Sequence, residues 1–233
     1  MTKVKSYAAL KATSSLEPFD IERRNLNKDD VQIKISFCGV CHSDIHMARN
    51  EWGNTSIYPM VPGHEIIGVV ESVGEDVKKF KTGDDVGVGV YVDSCESCSN
   101  CKSGNDHYCE KGIVLTYNSY EYGTQNITYG GYSKRIVVKE NYVIKIPQGM
   151  DKPKAAPLLC AGVTTYSPLT HFKINNFYGC ATERASSHTR NTNMPDLPLG
   201  IMRTENDALE NLKKEIYGRQ PYQSLQTRIG ELT

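Results

Sequence analysis

Hydrophobic and polar positions alternate along Val31-Gln32-Ile33-Lys34-Ile35, and comparable runs occupy Ile66–Val73, Asp85–Val92 and Tyr132–Val138. A period of two turns one set of side chains to a core and the other to solvent, so each run predicts a β-strand. Gly63, Gly68, Gly74, Gly83, Gly87 and Gly89 punctuate these runs where bends, bulges and turns are needed. A helix is predicted to follow over residues 152–171, ending near the Pro168–His171 stretch. The first part of the chain therefore reads as mainly β with short helices.

The pattern then changes. Valine occurs 17 times up to residue 174 and never after it, and lysine gives way to arginine as the commoner basic residue. Residues 175–200 are dominated by Asn, Thr, Ser and Pro and predict loop or disorder. One amphipathic helix is predicted over 205–217, with Leu209, Leu212 and Ile216 on one face and Gly218 where a C-terminal cap belongs. The expected organisation is a β domain over 1–150, a helix over 151–174 and an irregular, partly helical tail over 175–233.

Composition narrows the possible functions. The chain has 233 residues, with 27 Lys and Arg against 27 Asp and Glu. A zero balance gives no electrostatic reason to expect nucleic acid or an anionic membrane as partner. No apolar run approaches the roughly 20 residues that cross a bilayer, and the first thirty lack the apolar core of a signal peptide. The expectation is a soluble, cytoplasmic protein. In a reducing compartment its eight cysteines point to metal or catalytic thiolates.

The densest cysteine cluster is Cys95-x-x-Cys98-x-x-Cys101, followed after seven intervening residues by Cys109. Four thiolates on one short loop suit tetrahedral zinc, and the two-residue gaps let backbone N–H groups point at the sulfurs. The alternative is a pair of disulfides. An iron–sulfur cluster fits less well, since the spacing matches neither ferredoxin pattern. His107, inside this lobe (residues 91–115), reads as an exposed loop histidine. With every coordination position taken by sulfur, the lobe is expected to be structural.

A second set is spread over three stretches: Cys41-His42-Ser43-Asp44-Ile45-His46, Pro62-Gly63-His64-Glu65 and Leu158-Leu159-Cys160-Ala161-Gly162. A Cys–His–Cys set leaves a fourth zinc position open, which is the catalytic arrangement. Taken singly, Cys160 equally suits a buried core thiol and His64 an ordinary loop histidine.

The order CGVCHSDIH, YPMVPGHEIIGVV, CESCSNC…C, GGYS and APLLCAGVTTYSPL resembles the zinc-dependent medium-chain alcohol dehydrogenases, in particular the cinnamyl-alcohol-dehydrogenase-like branch. The resemblance runs from residue 1 to about 174. It implies a GroES-like β-barrel catalytic domain with one structural and one catalytic zinc. By resemblance Cys41, His64 and Cys160 hold the catalytic zinc, and Cys95, Cys98, Cys101 and Cys109 the structural one. Glu65 is then the nearby acid that enters the coordination shell as ligands exchange, and Asp44 fixes the tautomer of His64. Ser43 touches the substrate alcohol, His46 continues the proton relay to solvent, and His42 faces the cofactor pyrophosphate. Trp52 and Tyr58 border the substrate pocket or pack on the barrel rim. The implied reaction is hydride transfer between a small alcohol or aldehyde and NAD or NADP, the branch leaning to NADP. The family commonly dimerises through its cofactor domain.

No G-x-G-x-x-G occurs in the chain, and Gly87-Val88-Gly89-Val90-Tyr91-Val92 lacks the third glycine. Residues 175–233 contain no strand-like run and are too few for a doubly wound sheet. The expectation is thus a chain without a Rossmann domain: a dehydrogenase by ancestry, truncated, frameshifted or fused, binding nicotinamide cofactor poorly. The alternative is a non-enzymatic zinc-binding barrel whose tail binds a partner.

Overall fold

The structure is a computed structural model that describes residues 1–171. The segment expected as a tail, including the helix over 205–217, lies outside the described residues, as do 172–174. Met1–Cys160 belong to one compact unit, and Ala161–His171 to a second.

The first unit opens with a hairpin of β1 (Thr2–Ala9) and β2 (Leu16–Arg23). Its main sheet is antiparallel throughout and uses β3 (Asp30–Cys38), β4 (Ile66–Val73), β5 (Asp85–Val88), β8 (Arg135–Lys139) and β9 (Val143–Lys145). The spatial order is β8-β3-β4-β5-β9. A separate short pair, β6 (Tyr91–Asp93) with β7 (Val114–Leu115), carries the cysteine loop between them. Breaks of register between Gln32 and Ile33 and between Ile35 and Phe37 mark irregularities in the β3–β4 ladder, where the sheet curls.

Periodicity explains the core. Val31, Ile33 and Ile35 on β3 are buried while Lys34 and Ser36 face solvent, and Val138 and Ile136 on β8, paired with Val31 and Ile33, extend the buried face. Fully burying each such branched side chain contributes about 2 kcal/mol. β4 departs from strict alternation: Ile66 and Ile67 are both buried. The second face of β4 is covered because Ile67 packs with Ile146, Ala155, Ala156, Phe37 and Leu159.

Two expected elements are divided. The run expected as one strand over Asp85–Val92 breaks at Gly89-Val90 into β5 and β6, which belong to different sheets. The helix expected over 152–171 consists of α3 (Lys152–Ala155), a 3₁₀ turn (Ala156–Leu159) and α4 (Ala161–His171), separated at Cys160. Cys160 has φ −127° and ψ −72°, outside helical space, which turns its side chain out of the helical path. Two further short helices are α1 (His42–Ala48) and α2 (Ser99–Lys102). Among the described residues, no helix is long and apolar enough to cross a membrane.

Candidate metal centre

Register brings the first two ligand stretches together. Cys38 at the end of β3 pairs with Ile66 at the start of β4, and Gly39 N–H donates to the Glu65 carbonyl at 2.9 Å. The chain leaving β3 and the chain entering β4 are therefore neighbours, with Cys41 on one and His64 and Glu65 on the other. Gly39 permits the approach, since a Cβ there would stand 2.0 Å from Glu65 Oε2. The third stretch arrives from the far end of the unit. Leu159 lies over β5, where Cβ atoms added at Gly87 and Gly89 would meet it at 3.0 and 3.1 Å, and Cys160 follows directly.

The outcome is a cluster in which donor atoms of Cys41, His64, Glu65 and Cys160 all lie within 4.8 Å of one another. The Cys41 and Cys160 sulfurs are 3.8 Å apart, and Ser43 Oγ lies 3.4 Å from Cys41 Sγ. His64 and Glu65 are each only 3 % exposed. Asp44, on the first turn of α1, is equally buried and accepts from His64 Nδ1 at 3.1 Å. That bond leaves His64 Nε2 as the free imidazole donor atom.

The electrostatics fit a cation. The hydrogen bond from Cys160 holds the Cys41 thiol down at about 4 against its burial, while Cys160 itself is pushed up by that hydrogen bond, by burial and then by the Cys41 charge. Glu65 is raised to about 8 by burial and then by the Cys41 charge. Burial works against a charged His64, but Asp44 and Cys41 overcome it and raise the imidazole to about 10. Cys41 gives up its proton while Cys160, Glu65 and His64 keep theirs, as in a site that gathers more anionic donors than positive charge. Two thiolates, an imidazole and a carboxylate in this geometry are a donor set for zinc.

The loop cluster has a different character. The sulfurs of Cys95, Cys98, Cys101 and Cys109 also lie within 4.8 Å of one another, and all are free thiols. Backbone N–H groups aim at them as the two-residue gaps require: Cys95 N–H at Cys109 (3.4 Å), Cys98 N–H at Cys95 (3.4 Å) and Cys101 N–H at Cys98 (3.5 Å). The Ser97 backbone and hydroxyl pull Cys95 down to about 5. Cys101 goes the other way: Ser94 favours its thiolate, yet burial and the neighbouring sulfurs push it to about 12. Four thiols that cannot ionise together without a counter-charge fit the same metal. His107 is exposed against Tyr108 and takes no part in the cluster.

The remaining candidates flank the first cluster. His46 Nδ1 lies 2.5 Å from Glu51 Oε2, and its ring is between His42 (4.6 Å) and Trp52 (5.2 Å, stacked). His42 and Trp52 are exposed. Tyr58 does not rest on apolar packing alone, because its hydroxyl donates to the Ala48 carbonyl at 2.7 Å and so secures the end of α1. Glu51 and Tyr117 were not signalled by sequence spacing. Tyr117, buried, sets its ring 5.8 Å from that of His64.

The sequence profile of the alcohol dehydrogenase GroES-like domain matches residues 27–148. The chain belongs to this family. Within it, the chain falls in the zinc-dependent, cinnamyl-alcohol-dehydrogenase-like branch of the medium-chain dehydrogenases. It is 51 % identical over 170 residues to a probable mannitol dehydrogenase of Medicago sativa, covering 73 % of this chain and 46 % of that protein. The fold is similar to a cinnamyl alcohol dehydrogenase of Sorghum bicolor, with TM-score 0.72, 44 % identity and coverage of 75 % and 49 %. It is also similar to the Helicobacter pylori enzyme complexed with NADP(H), with TM-score 0.70, 46 % identity and coverage of 74 % and 49 %. The chain spans about half the length of the curated relatives it matches.

Proposed function

We propose that this chain carries the metal-binding half of a zinc-dependent alcohol dehydrogenase, acting in a reducing cytoplasm on a small alcohol or aldehyde with NADP. The supporting observation is the convergence of Cys41, His64, Glu65 and Cys160 with Asp44 behind His64. Cys41, His64 and Cys160 would hold a catalytic zinc, and the four loop cysteines a structural one. When bound, the catalytic zinc supplies Lewis-acid polarisation of the substrate oxygen.

The chain's own groups do the rest. Asp44 Oδ1 keeps the proton on His64 Nδ1, so that Nε2 faces the metal position. Glu65, buried and raised to about 8, is a carboxyl that takes or releases a proton beside the ligands as they exchange. Ser43 Oγ, next to Cys41 Sγ, accepts the alcohol proton, and His46 passes it outward. Glu51 holds His46 Nδ1, and the Trp52 ring limits the motion of the imidazole. His42, exposed on α1, would face the pyrophosphate of a bound cofactor, as the resemblance implies.

The test is zinc content together with turnover. The expected result is two zinc ions per chain, weak binding of NADPH, and slow aldehyde-dependent oxidation of NADPH that Ser43→Ala slows further by about a hundredfold. Two zinc ions without oxidation of NADPH over a panel of aldehydes would favour the non-enzymatic zinc-binding barrel.

A further inference from the structure

Asp44 presents about four acceptor positions and meets five donors. Oδ1 accepts from His64 Nδ1 at 3.1 Å and from Gly63 N–H at 3.0 Å. Oδ2 accepts from Cys41 N–H at 3.0 Å and from the Tyr132 hydroxyl at 3.0 Å. Tyr117 is a fifth partner, so a carboxylate with about four lone-pair directions is saturated. Three of the donors belong to the ligand stretches themselves. The fourth comes from Tyr132, distant in sequence and only 2 % exposed.

Tyr132 lies in Gly130-Gly131-Tyr132-Ser133, which is laced to the loop segment leading into His64. Gly130 N–H donates to the Val61 carbonyl (2.7 Å), Gly131 N–H to Gly63 (2.8 Å) and Tyr132 N–H to Pro62 (3.0 Å). The contact is so close that a Cβ at Gly130 would stand 2.4 Å from the Gly63 and Pro62 oxygens, and one at Gly131 would stand 2.7 Å from Cys38 Sγ. From behind, the buried Arg23 guanidinium bonds the carbonyls of Tyr129 (2.7 Å), Gly130 (3.0 Å) and Arg135 (3.0 Å) and the Ser133 hydroxyl (2.9 Å). The hydroxyl of Tyr132 is thereby fixed from both sides of its loop.

We propose that Tyr132 is a positioning residue for the Cys41–His64–Cys160 centre. It acts through Asp44, whose carboxylate it locks in the orientation that aims His64 Nε2 at the metal. The inference rests on the zinc-centre reading above. Loss of the hydroxyl removes one Oδ2 bond and lets the carboxylate turn toward Tyr117, and His64 turns with it. Groups behind a metal ligand commonly change affinity by about ten- to a hundredfold when removed.

The full chain supplies its own control, because the four-cysteine lobe lies outside this network. Zinc affinities of both sites are measured against a chromophoric chelator, and Co²⁺ is substituted to record d–d spectra. For Tyr132→Phe the expected result is about a tenfold weaker Cys41–His64–Cys160 site with shifted cobalt bands, and an unchanged lobe. Unchanged affinity and spectrum at that site overturn the proposal, and so does equal weakening of both sites. A wild-type chain that holds metal in the lobe alone overturns the zinc-centre reading itself, and this inference with it. In a chain that keeps the ring, 3-fluorotyrosine at position 132 gives an independent readout: its ¹⁹F resonance is expected to move as the second equivalent of zinc binds. A resonance indifferent to zinc overturns the proposal.

Discussion

The sulfurs of Cys41 and Cys160 stand 3.8 Å apart although 119 positions separate them. The pairing depends on two independent packings, the β3–β4 register beneath Cys41 and the seating of Ala155, Ala156 and Leu159 on the sheet beside Cys160. The lobe, in contrast, draws all four sulfurs from Cys95–Cys109. Elemental analysis of the full chain is expected to give two zinc ions, falling to one in Cys160→Ser. Mild chelation should strip the Cys41–Cys160 site first, because its ligands separate when either packing loosens. Equal retention of both metals would contradict this order.

A second relationship pins the lobe to the sheet. Lys139 Nζ on β8 bonds Asp93 Oδ1 at 2.8 Å and Glu96 Oε2 at 3.0 Å. Glu96 sits inside the first Cys-x-x-Cys at φ +52°, a left-handed conformation that this tether helps to hold. Lys139→Met should lower stability to urea by about 1 kcal/mol and speed zinc release from the lobe. Added salt should accelerate release from the wild-type chain more than from the variant, since only the former has the ion pairs to screen.

Much of the fold was legible because its central strands bury one face. Ile66–Val73 appears with the bounds its alternation predicts, and Val31–Ile35 extends to Asp30–Cys38. β1 and β2 were missed because Lys, Glu and Pro interrupt their apolar pattern, and β7 and β9 because two or three residues carry no period. The helix over 152–171 was misjudged as continuous, since sequence periodicity does not register the non-helical dihedrals at Cys160. The four-cysteine loop stood out through its spacing, whereas Cys41, His64 and Cys160, spread over three stretches, were grouped by the resemblance. Tyr132 and Glu51 did not stand out, because their partners Asp44 and His46 are set by tertiary approach. The GGYS motif was visible in the sequence, but the close contact with Pro62 and Gly63 that requires its glycines was not.

Arg23 is a buried cation whose guanidinium bonds three carbonyls and one hydroxyl. Burial lowers its pKa to about 10, with Glu121 and Tyr129 opposing the shift, so it stays charged at neutral pH. Arg23→Met would fill similar space but take the guanidinium donors from the Tyr129, Gly130 and Arg135 carbonyls, leaving the last two to share the Ser133 hydroxyl. The expected loss is about 3 kcal/mol in a denaturant titration, and Arg23→Lys should recover little of it. A lysine offers one point of charge where the fork serves a whole loop. Near wild-type stability for Arg23→Met would show that the carbonyls find other donors.

Glu71 reads pH from the opposite side of the sheet energetics. Its carboxylate takes a two-pronged contact from Arg135, with Nε at 2.6 Å and Nη2 at 3.0 Å, and a third bond from Gln32 at 3.0 Å. β4, β3 and β8 are thus tied across three neighbouring strands. The Arg135 hydrogen bond, against partial burial, lowers the Glu71 pKa below its ordinary value of 4.5. A carboxyl whose folded pKa is depressed contributes stability above its unfolded value and loses it as pH falls. Glu71→Gln keeps the shape and removes the charge. The pair is partly exposed and screened, so the variant should be less stable than wild type by about 0.5–1 kcal/mol at neutral pH. That gap should narrow as pH drops below the unfolded value and close in stronger acid, where the wild-type carboxyl is protonated too. A gap of the same size under both conditions would assign the effect to hydrogen-bond geometry, not to the charge.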